Sequence, residues 1–188
     1  MQEKENVLRI LQETKKAIEE DDGGKINKLS NQTINTASLT QDPDNIAVAV
    51  VAYSIGKIIE RENYKPLKGW DEFHKTISLS IKNSIEDIKK NDEEKFRKDI
   101  ELIRNSIENL SGKLKFYIQE VFRKASINKA SKLYEHGISM EQTAKLLGVT
   151  LFELASYVGQ SSASEIPENK TLSVKPRIKL AMSMFELK

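Results

Sequence analysis

Apolar residues recur at every third or fourth position through most of this chain, which is the spacing that lines one face of an α-helix. Turn and cap residues interrupt the pattern at Asp21–Gly24, at Asp42-Pro43 and at Ser111–Gly112. Six helices are therefore predicted before residue 136, within an all-α fold. They span residues 3–20, 25–38, 44–62, 70–90, 92–110 and 113–135.

The third predicted helix is apolar on nearly every side between Ile46 and Ile59. A helix without a polar face is usually buried, so this one should be the central element of an N-terminal bundle. The fourth and fifth helices each carry a single apolar stripe and are separated by a short connection at Asn91. They are predicted to form an antiparallel hairpin.

The second predicted helix is unusually polar for an element of a bundle. Its hydroxyl and amide residues are Asn27, Ser30, Asn31, Thr33, Asn35, Thr36 and Ser38. In one interpretation they line a polar ligand pocket against the third helix, which would also allow an enzyme. In the other, the helix lies at the edge of the bundle and these side chains contact neighbouring backbone.

Two helix start signals, separated by a glycine, follow the sixth helix. Ser139 and Gln142 form a Ser-x-x-Gln pattern, and a Thr-x-x-Glu pattern begins at Thr150 and ends at Glu153. In each pattern the hydroxyl can accept an amide hydrogen three residues on, while the longer side chain reaches back. Gly148 stands between them, where a positive φ can end one helix before the next begins.

Residues 127–159 resemble the helix-turn-helix of many prokaryotic regulators, and resemble still more closely small antitoxins that accompany PIN-type ribonuclease toxins. Ala144, Gly148 and Leu154 stand where that fold needs a small contact residue, a turn glycine and a core residue. The resemblance implies a DNA-binding transcription regulator or an antitoxin-like protein. The expected architecture is a multi-helix bundle followed by a helix-turn-helix unit and a C-terminal amphipathic tail helix.

Charge is distributed unevenly along the chain, whose formal net charge is +2. Residues 1–112 carry 18 Lys and Arg against 21 Asp and Glu, whereas residues 113–188 carry 12 against 7. The helix-turn-helix thus lies in the basic part, as phosphate contact requires, although a solvated lysine-rich face would give the same balance. The candidate nucleic-acid-binding residues are Arg123, Lys124, Lys129, Lys132, Lys145, Thr150 and Ser156.

The second helix of the motif has no basic residue, although side chains near the start of a recognition helix normally read base edges. Its exposed positions are expected to include Leu151 and Phe152, an apolar pair better suited to a protein than to phosphates. The alternative function is therefore a non-enzymatic helical adaptor that binds a protein partner through this surface.

The C-terminal segment has a linker's composition over residues 161–170 and an amphipathic pattern over 176–187. Ile178, Met182 and Phe185 share one face of this predicted tail helix and are further candidate partner-binding residues. A helix so short is marginal in water, so it should pack on the bundle, on a second copy in a homodimer, or on a protein partner. The predicted divisions are residues 1–112, 113–160 and 161–188.

Catalytic and cofactor motifs are missing from the sequence. His74 and His136 have no partner at metal-ligand spacing, and no glycine-rich phosphate-binding loop occurs. The chain is therefore predicted to be non-enzymatic, without a cofactor or metal. The lack of cysteine fits the cytoplasm, and no apolar run approaches the ~20 residues needed to span a bilayer, so no membrane association is predicted.

Overall fold

The computed structural model describes residues 1–107, 109–110 and 112–165, with side chains described through Gly159. This part of the chain contains eight α-helices, one 3-10 turn and no strand, which confirms the predicted all-α fold. The α-helices are α1 Lys4–Glu19, α2 Gly23–Thr40, α3 Pro43–Ile59, α4 Trp70–Lys89, α5 Glu93–Asn105, α6 Gly112–Glu135, α7 Met140–Leu147 and α8 Leu151–Glu165, and the 3-10 turn is Glu62–Tyr64.

Helix α3 is the central element, as predicted. It begins at Pro43 beside the N-cap Asp42, whose Oδ1 accepts a hydrogen bond of 3.0 Å from the amide of Asp44. Thirteen of its 17 residues are buried. It contacts α1, α2, α5, α6 and α7, so most of the described helices pack around it.

Helix α2 begins earlier than the glycine pair had indicated. The prediction of a turn at Gly23 and Gly24 is wrong, because Asp22 caps the helix and accepts a hydrogen bond of 2.8 Å from the amide of Lys25. The glycine is needed for packing instead. A Cβ atom at Gly23 would lie 2.5 Å from the carbonyl oxygen of Gly56, so the α2 and α3 backbones approach too closely for a side chain.

Helix α5 ends at Asn105, well before the predicted end at Leu110. The Ser106 hydroxyl donates a hydrogen bond of 2.6 Å to the carbonyl oxygen of Ile103, and the next backbone bonds span three residues instead of four. Such a local side-chain bond competes with the helical pattern, which explains the early end.

Helix α8 continues to Glu165, so residues 161–165, predicted as linker, are helical. The segment holds neither glycine nor proline before Pro167, which leaves nothing in it to end the helix. The remainder of the predicted linker and the predicted tail helix with its partner-binding residues lie outside the described part of the chain. Those tail residues are Ile178, Met182 and Phe185.

Two apolar clusters form the core, and both include α6. The larger cluster joins α1, α2, α3, α4 and α5 to the first half of α6, from Leu114 to Phe122. The smaller one joins α2 and α3 to the second half of α6, to α7 and to Leu154 of α8. Both clusters therefore draw on residues from either side of position 112.

Candidate functional site around the turn between α7 and α8

The predicted start signals both form helix caps. The Glu153 amide donates to Thr150 Oγ1 at 3.1 Å, and the Thr150 amide donates to Glu153 Oε2 at 3.0 Å, which completes a reciprocal capping box. Ser139 Oγ accepts from the Gln142 amide at 3.2 Å, whereas the Gln142 side chain donates to Gln41, the C-cap residue of α2, at 2.5 Å instead of reaching back. These caps fix where α7 and α8 begin.

Gly148 ends α7 in the left-handed conformation, with a φ of +64°. Its amide donates a hydrogen bond to the carbonyl oxygen of Ala144, one turn back in the helix. Only two residues then separate Gly148 from the start of α8. This turn fixes the direction of α8 relative to α7.

Glu153 also neutralises a cation of the predicted nucleic-acid surface. The Nη2 and Nε atoms of Arg123 donate to Glu153 Oε1 at 2.8 and 3.0 Å. The Thr150 amide and the Arg123 guanidinium lower the pKa of Glu153 to about 2. The carboxylate therefore stays ionised and occupies the N-terminal end of α8, where a phosphate group would otherwise be favoured.

Other predicted cations are paired or buried. Lys124 Nζ lies 3.1 Å from Glu120 Oε1, and Lys132 Nζ lies 3.0 Å from Glu135 Oε2. Lys129, predicted to face a nucleic acid, has an exposed fraction of 0%. It lies on the side of α6 that packs against α2 and α3, so it is not available to a phosphate.

The buried Lys129 is held by neutral groups from two other helices. Its Nζ donates to Asn31 Oδ1 of α2 at 2.8 Å and lies 4.2 Å from the ring centroid of Tyr53 on α3. Burial, together with the positive charges of Lys132 and Lys57, lowers the pKa of its amine to about 7.

Several polar side chains of α2 contact other helices, and others bond to the backbone of α2 itself. Ser30 Oγ donates to the carbonyl oxygen of Ala49 on α3 at 2.6 Å, and Asn35 Oδ1 lies 3.2 Å from His136 Nε2 at the end of α6. With the bonds from Asn31 and Gln41, these contacts tie α2 to α3, α6 and α7. The hydroxyl groups of Ser30, Thr33 and Ser38 all bond to neighbouring backbone, which favours the predicted backbone contacts over a ligand pocket.

The outer face of α8 is apolar at its first turn. Leu154 is buried, and Asn128 Nδ2 of α6 donates to Tyr157 Oη at 3.1 Å, so the inner face is held against α6. Leu151 and Phe152 point outward, with exposed fractions of 51% and 81%. The anchored helix therefore presents two large apolar side chains to solvent.

A cation that the sequence did not single out lies beside the turn. Two cavities of about 330 and 270 Å³ adjoin at Gly148, and Arg104 of α5 lines both. Arg123 borders the first cavity and Lys145 the second. In the sequence, Arg104 is distinguished only as a basic residue in the last turn of α5. The position of Arg104 near α7 follows from the folded structure.

Comparison of the chain with protein-family models, curated proteins and solved structures gives no match. Among the described residues, no helix is long and apolar enough to cross a membrane, and no three His, Asp or Glu residues are grouped as metal ligands. The exposed side chains around the turn are therefore the best guide to function.

Proposed function

We propose that this protein is a non-enzymatic regulator whose helix-turn-helix unit binds a protein partner through the first turn of α8. The exposure of Phe152 carries the proposal, because 81% of a large apolar side chain faces solvent on a helix that is otherwise well anchored. Aromatic side chains supply much of the affinity at protein interfaces.

The charges around α8 favour a protein over DNA. The first turn of α8 carries a carboxylate and no cation, and the nearest arginine, Arg123, is already bound to that carboxylate. A duplex phosphate would have to displace Glu153 from both Arg123 and the Thr150 amide. An apolar pocket on a protein would leave these bonds intact.

The resemblance to antitoxins indicates the class of partner, a PIN-type ribonuclease. Such a protein would bury Leu151 and Phe152 in an apolar pocket. Regulation would then consist of occupying the partner's surface, with no chemistry performed by this chain.

Loss of the aromatic anchor should weaken this complex. We expect Phe152→Ala to raise the Kd for a PIN-type ribonuclease from the same genome by roughly 30-fold, which corresponds to about 2 kcal/mol. Isothermal titration calorimetry measures the change. Leu39→Ala is the matched control, since Leu39 is a similarly exposed apolar residue at the end of α2 and should leave the Kd unchanged. Equal affinity for wild type and Phe152→Ala would contradict the proposal.

A second candidate function, duplex DNA binding, is favoured by the cations around Gly148. Arg104 and Lys145 come from different helices, line adjoining cavities and are both exposed. Neither forms an ion pair in the described part of the chain. Contacts from these side chains would fall on phosphates and give little sequence specificity.

Gel-shift titration with the DNA upstream of the protein's own gene tests this candidate. The double variant Arg104→Gln, Lys145→Gln should bind more weakly at about 50 mM salt. The slope of its log affinity against log salt concentration should decrease in magnitude by the amount expected for the loss of about two phosphate contacts. The control is Lys16→Gln, Lys89→Gln, which removes two exposed lysines from α1 and α4. No shift with the wild-type protein at that salt concentration would eliminate DNA binding and leave the protein partner.

A further inference from the structure

Three aromatic rings pack together where α6 begins, far along the helix from α7. Tyr64 and Tyr117 are stacked with centroids 5.5 Å apart and an interplanar angle of 16°, and Phe116 packs edge-to-face with Tyr117 with centroids 6.0 Å apart. We call Tyr64, Phe116 and Tyr117 the aromatic platform. Its outermost ring is Phe116, with an exposed fraction of 66%.

The platform is held rigidly from behind. Tyr64 is buried, and its hydroxyl accepts a hydrogen bond of 2.6 Å from Nη1 of Arg61. The Arg61 guanidinium also lies over the Tyr64 ring at 5.7 Å. A ligand that stacks on the exposed rings would therefore lose little free energy to ordering the protein.

Positive charge flanks the platform. Lys113 lies one helical turn before Phe116 and Tyr117 and is exposed, and Arg61 lies behind Tyr64 with an exposed side chain. The first two turns of α6, residues 112–119, contain no Asp or Glu. The nearest carboxylate along α6, Glu120, is bound to Lys124 at 3.1 Å.

We propose that the aromatic platform binds single-stranded nucleic acid, with a base stacked on Phe116 and a neighbouring phosphate held by Lys113. Exposed rings combined with cations are the elements with which proteins bind unpaired strands without strong sequence preference. A duplex cannot supply this contact, because its bases are already stacked on one another.

The surroundings of Phe116 favour a strand over a protein partner. Its neighbours one turn away on α6 are Gly112, Lys113, Gln119 and Glu120, none of which is apolar. Along α6 the exposed apolar area is therefore limited to the Phe116 and Tyr117 rings, which is small for a protein interface but matches the face of a base. None of the platform residues belongs to α8, so this proposal is independent of the proposed function.

Fluorescence anisotropy with labelled oligo(dT) and oligo(U) of about 15 nucleotides, and with a duplex of the same length, tests the proposal. We expect both strands to bind more tightly than the duplex at about 50 mM salt. Tighter binding of oligo(U) would identify RNA as the ligand, and equal binding would identify a strand of either sugar. Phe116→Ala should weaken strand binding roughly tenfold, and Phe116→Trp should retain it.

The matched control is Leu39→Ala, which removes an exposed apolar side chain from α2, a helix that contributes no residue to the platform, and should leave strand binding unchanged. Lys113→Gln should reduce the affinity for the strand. It should also decrease the magnitude of the slope of log affinity against log salt concentration by the amount expected for the loss of about one phosphate contact. The proposal is overturned if no strand binds at that salt concentration, if the duplex binds more tightly, or if both alanine variants lose affinity equally. It is also overturned if Phe116→Ala lowers the molar mass measured by light scattering, because the platform would then join two copies of the chain.

Discussion

The Ile55→Asp variant is expected to be unfolded under conditions where the wild type is fully folded. Ile55 lies in α3 with an exposed fraction of 1%, within the larger apolar cluster. An aspartate there would be a buried carboxylate without a partner, at a cost of roughly 3–5 kcal/mol in addition to the lost packing. Domains of this size are typically stable by only about 5–15 kcal/mol. Far-UV circular dichroism during heating measures the loss.

Leu79→Asp provides the comparison for this experiment. It makes the same kind of change on α4, where Leu79 is largely exposed, and should shift the melting temperature only slightly. If Ile55→Asp kept the wild-type melting temperature, the central position of α3 would be incorrect.

Replacing Lys129 with methionine is expected to stabilise the protein and to change how its stability depends on pH. In the folded protein burial lowers the pKa of the Lys129 amine to about 7, whereas an unfolded chain has a lysine pKa of about 10.4. Between these values the unfolded state binds more protons than the folded state. The free energy of unfolding should therefore rise with pH across this window, at up to about 1.4 kcal/mol per unit from this residue.

Lys129→Met removes that contribution. Below pH 7 the variant should be more stable than the wild type by roughly 1–4 kcal/mol, because a buried charge without a carboxylate partner is replaced by an apolar side chain. Asn31 is exposed, so its amide oxygen can bond to water in the variant. Denaturant titrations at several pH values between 6 and 10 measure both effects.

Lys124→Met is the control, since Lys124 is exposed and its stability effect should stay within about 0.5 kcal/mol. The lowered pKa would be contradicted if Lys129→Met were less stable than the wild type and if its free energy of unfolding changed with pH as steeply as that of the wild type. The ring of Tyr53 and the amide of Asn31 would then stabilise the ammonium as well as water does.

Local interactions explain which features the sequence could predict. The capping box of Thr150 and Glu153 joins residues three positions apart, and the turn depends on Gly148 itself, so both follow from the sequence without knowledge of the packing. The burial of α3 was equally predictable, because an apolar residue on every side leaves no face for water.

Contacts between distant residues explain what the sequence could not predict. The burial of Lys129 depends on Asn31 and Tyr53, which belong to helices far earlier in the chain. The position of Arg104 beside Gly148 depends on how α5 packs near α7. Periodicity identifies the faces of each helix, but it does not identify which helices meet or which lysine becomes enclosed between them.

The membership of α6 in both apolar clusters has a consequence for how such a protein can evolve. A regulator whose recognition module hangs from a linker can acquire a new one by recombination. In this chain the helices α6 to α8 would have to be exchanged together. The new α6 would then have to complete both apolar clusters, since each half of α6 belongs to a different one. Under the proposed function, partner choice should therefore diverge by point substitution at Leu151 and Phe152, while the inward Leu154 stays apolar among descendants of a common ancestor.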